Sequence, residues 1–322
     1  MKSQQQIIGE LAGVGVAKAA YRPMEKLVRT VLAGAFIALG GILSVVASAG
    51  FAANPSAQKV MSGLAFPIGL LLTVVFGAEL FTGNCAVLMP AALKKRLSAV
   101  QVICNLAVVW IGNFVGAAAV VGLFVIGGGL LDAEPFSSAM AALSKLKVSL
   151  PPLTAFWRGI GCNWLVCLAI WLALTSDSLV GKAVGCWIPV AAFVVLGLEH
   201  SVANMFFIPA GMYVSGVWDF GGLAANLIPV TLGNIAGGAP FCGLPLCVAL
   251  WRERLRGLFG VSGQERLAIR GLSGGGHGLR RPALAGLIIW ECAIATGLAP
   301  RPTILLLLRS CYLSSLTHMM LL

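Results

Sequence analysis

The same eight-residue pattern interrupts two long apolar segments of this chain. Residues 77–84 read G-A-E-L-F-T-G-N, and residues 197–204 read G-L-E-H-S-V-A-N, 120 positions later. Both follow G-x-E-x4-N, so each puts a carboxylate and an amide at membrane depth. Polar groups are costly there and mark a pathway or a site. The pattern therefore predicts an internally duplicated membrane transporter, with the substrate path at the two interruptions.

Long apolar runs with few charges place the chain in a membrane. Of the 322 residues, 59% are hydrophobic and 10% are charged, whereas an average soluble domain is about 25% charged. A helix crosses the hydrocarbon core with about 20 residues. Six such segments can be counted, beginning near residues 30, 63, 97, 153, 183 and 220. The second is predicted to be interrupted around Phe81 to Asn84, and the fifth at Glu199 to Asn204.

A second pattern repeats at nearly the same offset. N-L-x2-V-x2-G-N-x2-G begins at Asn105 and again at Asn226, 121 positions later. Each repeat then holds three spans, and an odd number of spans inverts the second copy in the membrane. The predicted fold is an all-α membrane protein with six transmembrane helices, arranged as an inverted repeat of three with broken second and fifth helices.

The basic residues predict how the chain is oriented. The formal net charge is +11, and its clusters lie beside the apolar spans: before residue 30, at 94–96 and at 252–256. Such clusters are typical of cytoplasmic loops. Both termini are therefore predicted to be cytoplasmic, and no nucleic-acid partner is expected. The predicted membrane is the plasma (inner) membrane, and an organelle membrane stays open.

The chain divides into three regions on these patterns. Residues 1–29 are predicted to be a cytoplasmic N-terminal segment and residues 30–256 the transmembrane domain. Residues 257–322 are rich in glycine, arginine and leucine and do not continue the repeat. We expect this tail to be disordered or weakly membrane-associated, with no role in transport.

His200 and Thr82 are the predicted anion contacts. His200 is the only histidine among the six spans, and histidine can take up or release a proton near neutral pH. Thr82 lies in the other interruption, where its hydroxyl can donate to an anion or cap a half-helix. Leu80 and Phe81 precede it and are predicted to form a hydrophobic constriction, which bars bare ions.

The paired acids and amides of the repeated pattern allow two interpretations. Glu79 and Glu199 could relay protons, or each could hold its broken loop in place by accepting backbone or hydroxyl hydrogen bonds. A bare carboxylate would repel an anion, so the pattern favours the supporting role. Asn84 and Asn204 are expected to share it.

Two further polar residues are candidates for the pathway. Asn163, on the fourth span, could face the pore beside His200 or simply bridge two helices. Lys147 could draw anions toward the outer mouth, although a plain surface lysine is equally compatible with its chemistry.

The motifs together resemble the formate/nitrite transporter family. The stretches that carry the resemblance are A-E-L-F-T-G-N at 78–84, C-N-W-L-V-C-L-A at 162–169, E-H-S-V-A-N-M-F at 199–206 and N-L-I-P-V-T-L-G-N at 226–234. They are long and specific, and the similar region covers about residues 13–256. The resemblance implies an aquaporin-like protomer with its own pore, assembled as a homopentamer in the lipid bilayer. The expected cargo is small monovalent anions such as formate, nitrite or hydrosulfide, with or without protons.

The resemblance also implies roles for single residues. It places His200 in the middle of the pore with Thr82 beside it, and Leu80 and Phe81 on the outer side. It matches Asn163 to the family's amide and Lys147 to a basic residue of the outer vestibule. The implied inner constriction consists of Phe66, Leu70 and Phe193.

Other classes of membrane protein fit the sequence less well. A neutral-solute channel of the aquaporin type needs two Asn-Pro-Ala boxes, and this chain has a single Asn54-Pro55-Ser56 outside the interruptions. A haem-binding enzyme subunit with two axial histidines needs a second intramembrane histidine. The nine cysteines show neither C-x-x-C spacing nor a nearby histidine cluster, so no metal or other cofactor and no enzyme activity are predicted.

Overall fold

The computed structural model describes residues 4–238, with side chains from residue 6 onward. Every regular element in this part of the chain is helical, which confirms the predicted all-α class. The helices are α1 (Gln4–Ala19), α2 (Pro23–Ser48), α3 (Pro55–Ala65), α4 (Ile68–Val75), α5 (Phe81–Leu93), α6 (Ala99–Val120), α7 (Phe136–Val148), α8 (Pro152–Thr175), α9 (Leu179–Val195), α10 (Ser201–Ser215) and α11 (Phe220–Gly238 within the described residues). A 3-10 turn, Ala49–Phe51, follows α2, and a π-helical turn, Val121–Ile126, follows α6.

Five helical segments between residues 4 and 238 are long and apolar enough to cross a membrane. They are Pro23–Phe51, Pro55–Val75, Ala99–Ile126, Pro152–Thr175 and Phe220–Gly238. Helices α5 and α9 are apolar but shorter, at 13 and 17 residues. The protein is therefore an integral membrane protein in which two segments are interrupted, one between α4 and α5 and one between α9 and α10.

The first span begins seven residues earlier than the sequence predicted. Helix α2 starts at Pro23. Two of its three early charges, Glu25 and Arg29, neutralise each other. Arg29 Nε and Nη2 each lie 2.9 Å from Glu25 Oε1, one helical turn away. Because the ion pair lies within one helix face, these residues are part of the helix rather than of a preceding loop.

The two interruptions end their helices in the same way. Gly77 and Gly197 adopt left-handed backbone angles, with φ of 63° and 69°. The amide after each glycine donates back to a carbonyl five residues earlier, Ala78 to Thr73 at 2.9 Å and Leu198 to Phe193 at 3.0 Å. This is the Schellman arrangement, which favours glycine at the left-handed position. We name the stretch 76–80 the first break and the stretch 196–200 the second break.

Glycines let the spans that flank each break pack backbone to backbone. A Cβ on Gly116 of α6 would meet the Val31 carbonyl of α2. A Cβ on Gly237 of α11 would likewise meet the Ile160 carbonyl of α8. Small residues at helix interfaces allow this close approach in membrane proteins. The pairs α2–α6 and α8–α11 thus form equivalent supports behind the two breaks.

Two helices outside the predicted spans also pack against the broken segments. Ile7 and Leu11 of α1 lie in an apolar cluster with Val87 of α5. Helix α7 packs against α10, where Ser144 Oγ donates to the Ile208 carbonyl at 3.2 Å. The predicted end of the sixth span and the tail, 257–322, lie outside the described residues.

Candidate functional site

A narrow apolar cavity lies where the two breaks meet. Its lining consists of Ile37, Phe66, Leu70, Leu80, Val166, Val190, Phe193 and His200. His200 is the one titratable group in this lining. Its ring stacks on Phe193 with centroids 5.8 Å apart, and Phe193 meets Phe66 edge to face at 5.9 Å. The lining therefore presents one polar ring to an otherwise apolar cavity.

One hydrogen bond joins the start of α5, directly after the first break, to the second break. Thr82 Oγ1 lies 2.9 Å from His200 Nε2, and both side chains are buried. Thr82 is in the first turn of α5, and His200 directly precedes α10. The structure thus brings together two polar residues that each align with an aliphatic residue in the other copy of the pattern, Thr82 with Val202 and His200 with Leu80.

A second hydrogen bond fixes the protonation of the His200 ring. The backbone amide of Ala203 donates to His200 Nδ1 at 3.1 Å, so His200 caps the N-terminus of α10. An accepting Nδ1 carries no proton, and a neutral imidazole then carries its proton on Nε2. Nε2 is therefore the donor to Thr82 Oγ1. The Thr82 hydroxyl keeps its own proton to offer to another group.

Glu79 of the first break belongs to a buried polar network. Its carboxylate accepts from Asn84 Nδ2 at 2.9 Å and pairs with Lys18 Nζ at 2.6 Å. Asn84 also donates to Asn105 Oδ1 at 2.9 Å and accepts from Lys18 Nζ at 3.0 Å. The carboxylate thus supports the break through an amide and an ammonium group, rather than through the backbone and hydroxyl donors that we expected.

Glu199 of the second break has the equivalent network. It accepts from Asn204 Nδ2 at 2.6 Å, and Lys147 Nζ lies 3.1 Å from each of its oxygens. Asn204 also donates to Asn226 Oδ1 at 2.7 Å. Lys147 is only 8% exposed. Its ammonium group is therefore largely shielded from solvent, and Glu199 provides the neutralising charge. The networks differ in how the lysine is used. Lys147 Nζ contacts both oxygens of Glu199, whereas Lys18 Nζ is shared between Glu79 Oε1 and Asn84 Oδ1. Within the described residues Asn204 Oδ1 therefore has no hydrogen-bond donor.

Two buried asparagines fasten the backbone of each break to a neighbouring helix. Asn113 Nδ2 donates to the Thr30 and Glu79 carbonyls, and its Oδ1 accepts from the Phe81 amide, all at 2.8 Å. Asn234 Nδ2 donates to the Gly159 and Glu199 carbonyls, and its Oδ1 accepts from the Ser201 amide, all at 2.9 Å. Backbone groups that leave a helix inside a membrane need such partners.

The remaining predicted site residues lie close to this centre but outside its lining. Asn163 Nδ2 donates to the Asn234 carbonyl at 2.5 Å, a contact that ties α8 to α11. Phe81 is fully buried in the core next to Leu80, which does line the cavity. Lys147 lies in the network of the second break. Their assignment to the pathway stays a prediction.

Sequence reasoning missed several residues of the two networks. Lys18 was grouped with the basic N-terminal segment, although it pairs with Glu79. Asn105, Asn113, Asn226 and Asn234 were noted only as parts of the second repeated pattern. That pattern was the available signal, because each of its copies carries two asparagines at the same spacing.

Comparison with known proteins agrees with this architecture. The family model described as formate/nitrite transporter matches residues 5–248. A probable formate transporter of Methanothermobacter thermautotrophicus is 45% identical over 237 residues, covering 68% of this chain and 86% of the relative. Two solved structures are similar. An FNT family ion channel has a TM-score of 0.71 and 33% identity, covering 76% of this chain and 99% of that one. A pentameric formate channel with formate bound has a TM-score of 0.61 and 30% identity, covering 72% and 97%.

The fold and the buried centre define a membrane transport protein with two broken helices, not an enzyme. The chain belongs to the formate/nitrite transporter family. This family assignment confirms the resemblance that the sequence motifs carry.

Proposed function

We propose that this protein conducts small monovalent anions, formate and nitrite in particular, through a pore in each protomer. The proposed contacts at the pore centre are Thr82 and His200. The observation that carries the proposal is the 2.9 Å bond between these side chains, which connects the start of α5 to the second break beside an apolar lining. The family description and the formate-bound relative support the choice of anion.

The apolar lining makes passage of a bare anion expensive. Moving an isolated carboxylate-sized ion into a medium of low dielectric costs about 20 kcal/mol in the idealised limit. A transiently protonated, neutral acid avoids most of that cost. We therefore propose that the anion binds at the centre and shares or gains a proton there before it crosses the constriction.

The hydrogen-bond directions suggest how the centre binds an anion. His200 uses Nδ1 to cap α10 and Nε2–H to donate to Thr82, so the Thr82 proton is available to the anion. The first turn of α5 adds the positive end of a helix dipole. Protonation of His200 at Nδ1 would break its bond with the Ala203 amide. Proton transfer at the centre is then coupled to the cap of α10.

The assembly and the orientation are part of the same proposal. The similarity to a pentameric formate channel supports a homopentamer, with one pore per protomer. The distribution of basic residues supports cytoplasmic termini in a plasma (inner) membrane. Lys18 would then face the cytoplasmic side of the first break, and Lys147 the outer side of the second.

Uptake into proteoliposomes tests the transport proposal. Formate, nitrite and hydrosulfide would be offered at two external pH values while current is recorded. Uptake of formate or nitrite above that of empty liposomes is expected. Current without proton movement indicates a channel, and electroneutral uptake that accelerates in acid indicates symport. If only uncharged solutes such as glycerol or water cross, the protein is a neutral-solute channel and the proposal is wrong.

A further inference from the structure

Arg29 and Arg158 occupy the same position behind the two breaks. The Glu79 amide donates to the Arg29 carbonyl at 3.0 Å, and the Glu199 amide donates to the Arg158 carbonyl at 3.3 Å. Arg29 is the seventh residue of α2, and Arg158 is the seventh residue of α8. The two guanidinium groups can therefore be compared directly.

The guanidinium of Arg29 is fully engaged by its surroundings. It forms the ion pair with Glu25 and donates from Nη1 to the Gly77 carbonyl at 2.6 Å. Its Cζ also lies 4.6 Å from the centre of the Tyr21 ring. These contacts neutralise the charge and fix the turn at the first break.

The guanidinium of Arg158 has none of these partners. The positions that correspond to Glu25 and Tyr21, counted from each arginine, are Thr154 and Leu150. Within the part of the chain that the structure describes, no hydrogen bond, ion pair or ring contact involves the Arg158 side chain. The side chain is nevertheless partly buried. The nearest network acid by sequence, Glu199, is already held by Lys147 and Asn204.

A partly buried guanidinium without a hydrogen-bond acceptor is a favourable binding site for an anion. It presents five N–H donors in a planar fork, which matches two oxygens of one carboxylate or phosphate group. Desolvating this charge without a counter-charge is unfavourable. The Arg158 backbone carbonyl also accepts from the Glu199 amide, so a ligand bound by this residue would be held by the helix that supports the second break.

We propose that Arg158 is an oxyanion-binding residue beside the second break. Two sources supply this chemistry: a small carboxylate or nitrite ion on its way to the pore, and the phosphate of a lipid headgroup. The site lies outside the Thr82–His200 centre, and its binding step does not depend on transport. At the equivalent position in the first repeat, Glu25 already pairs with Arg29, so the two repeats differ here in their affinity for anions.

Labelling of arginine with phenylglyoxal tests the proposal without measuring transport. The full-length protein would be labelled in phosphate-free maltoside detergent, and modified peptides would be quantified by mass spectrometry. We expect Arg158 to react faster than Arg29, which serves as the internal control. Formate, compared with chloride at the same ionic strength, is expected to slow labelling of Arg158 by about tenfold at saturation, as charge-assisted hydrogen bonds allow.

The choice of added anion separates the two sources. Protection by formate or nitrite identifies the transported ion as the ligand. Protection by phosphatidylglycerol alone identifies a lipid headgroup. If neither protects Arg158, or if Arg29 and Arg158 react at the same rate, the proposal is wrong.

Variants provide a second readout for the transported-ion case. Arg158→Gln is expected to raise the formate concentration that gives half-maximal uptake by about tenfold, the loss of one charge-assisted contact. Arg158→Lys keeps the positive charge but loses the planar arrangement of N–H donors. Its half-maximal formate concentration should lie between those of the unsubstituted protein and Arg158→Gln. Lys59→Gln removes a charge from an exposed position of α3 and is the matched control. If Arg158→Gln and Lys59→Gln raise the half-maximal formate concentration equally, the effect comes from general surface charge, and the proposal of a specific site is wrong.

Discussion

Thr82 Oγ1 lies 2.9 Å from His200 Nε2, although the two residues are 118 positions apart in the chain. In the repeated pattern, Thr82 corresponds to Val202 and His200 corresponds to Leu80. At these two positions, each copy of the pattern therefore has a polar residue where the other copy has an aliphatic one. The anion chemistry that we propose depends on this departure from symmetry, whereas the supporting networks depend on the symmetry itself.

Removing the Thr82 hydroxyl tests its proposed role as the donor to the anion. Thr82→Val keeps the shape and deletes the hydrogen bond, so formate uptake should fall by about 10- to 100-fold, since hydrogen bonds to charged groups contribute about 1.5–3 kcal/mol. Thr82→Ser keeps the hydroxyl and should retain most of the uptake. Initial rates in proteoliposomes measure both variants. Equal rates for Val and Ser would show that the hydroxyl takes no part.

Two substitutions of His200 separate its cap from its proton chemistry. Asparagine is a good N-cap and can accept from the Ala203 amide, so His200→Asn should keep the thermal stability of α10 but lose uptake. His200→Leu copies the first repeat and removes the cap, which costs about 0.5–2 kcal/mol. Melting temperature in detergent and uptake at several pH values measure the two effects. Unchanged uptake by the Asn variant at every pH would contradict a role for the ring.

The presence of the breaks was predictable from sequence because they need specific residues, but their bounds were not. We predicted interruptions at 81–84 and 199–204, whereas Phe81 and Ser201 are already the first residues of α5 and α10. A left-handed turn in an apolar segment favours glycine, and Gly77 and Gly197 are both visible in the pattern. The amides that follow could also be expected to support the loops. The all-α class followed from the apolar runs alone.

The partners of the two acids could not be predicted from sequence. Lys18 lies 61 positions before Glu79, in a segment whose cations all fit the rule for cytoplasmic loops. Only the docking of α1 on α5 brings its ammonium group to the carboxylate. Likewise, Lys147 reaches Glu199 because α7 forms and packs on α10, and the sequence showed only a connection of mixed charge there.

The Lys18–Glu79 pair should behave as a buried ion pair in stability measurements. Glu79 is 0% exposed, so Lys18→Met leaves its carboxylate buried without a cation. Loss of one partner of such a pair costs about 3–5 kcal/mol. The double variant Lys18→Met, Glu79→Gln should recover most of that loss. Thermal unfolding in detergent of the unsubstituted protein, the two single variants and the double variant measures this double-mutant cycle.

Lys26 provides the matched control for that cycle. Lys26 lies in the same basic segment, and its ammonium group donates to the Ala19 carbonyl at 3.4 Å rather than to a carboxylate. Lys26→Met should therefore change the free energy of unfolding by less than about 1 kcal/mol, as removal of a single weak contact does. A loss for Lys18→Met no larger than for Lys26→Met would mean that the buried pair contributes nothing.

Ser201, the first residue of α10, offers a test of unsatisfied buried groups beside the second break. Its hydroxyl is buried and has no hydrogen-bond partner within residues 6–238, so Ser201→Ala should leave the melting temperature unchanged or raise it. Ser44 is also buried, and its hydroxyl donates to the Gly41 carbonyl at 2.9 Å. Ser44→Ala should lower stability by about 1 kcal/mol. A larger loss for Ser201→Ala would reveal a partner, such as an internal water molecule.

The close contact between α2 and α6 predicts opposite effects for two glycines on one span. A Cβ at Gly116 would meet the Val31 carbonyl, and because that atom is backbone, the helices must separate to admit it. Overpacking of this kind costs about 1–3 kcal/mol or more, so Gly116→Ala should lower the melting temperature and the yield of folded protein. At Gly122, six residues further on, a Cβ would have no described atom within 4 Å. Gly122→Ala should be neutral or stabilising by about 0.5–1 kcal/mol, since alanine is favoured over glycine in helices. Size-exclusion profiles and thermal unfolding of both variants measure the difference, and a tolerated Gly116→Ala would contradict the backbone contact on which the first break rests.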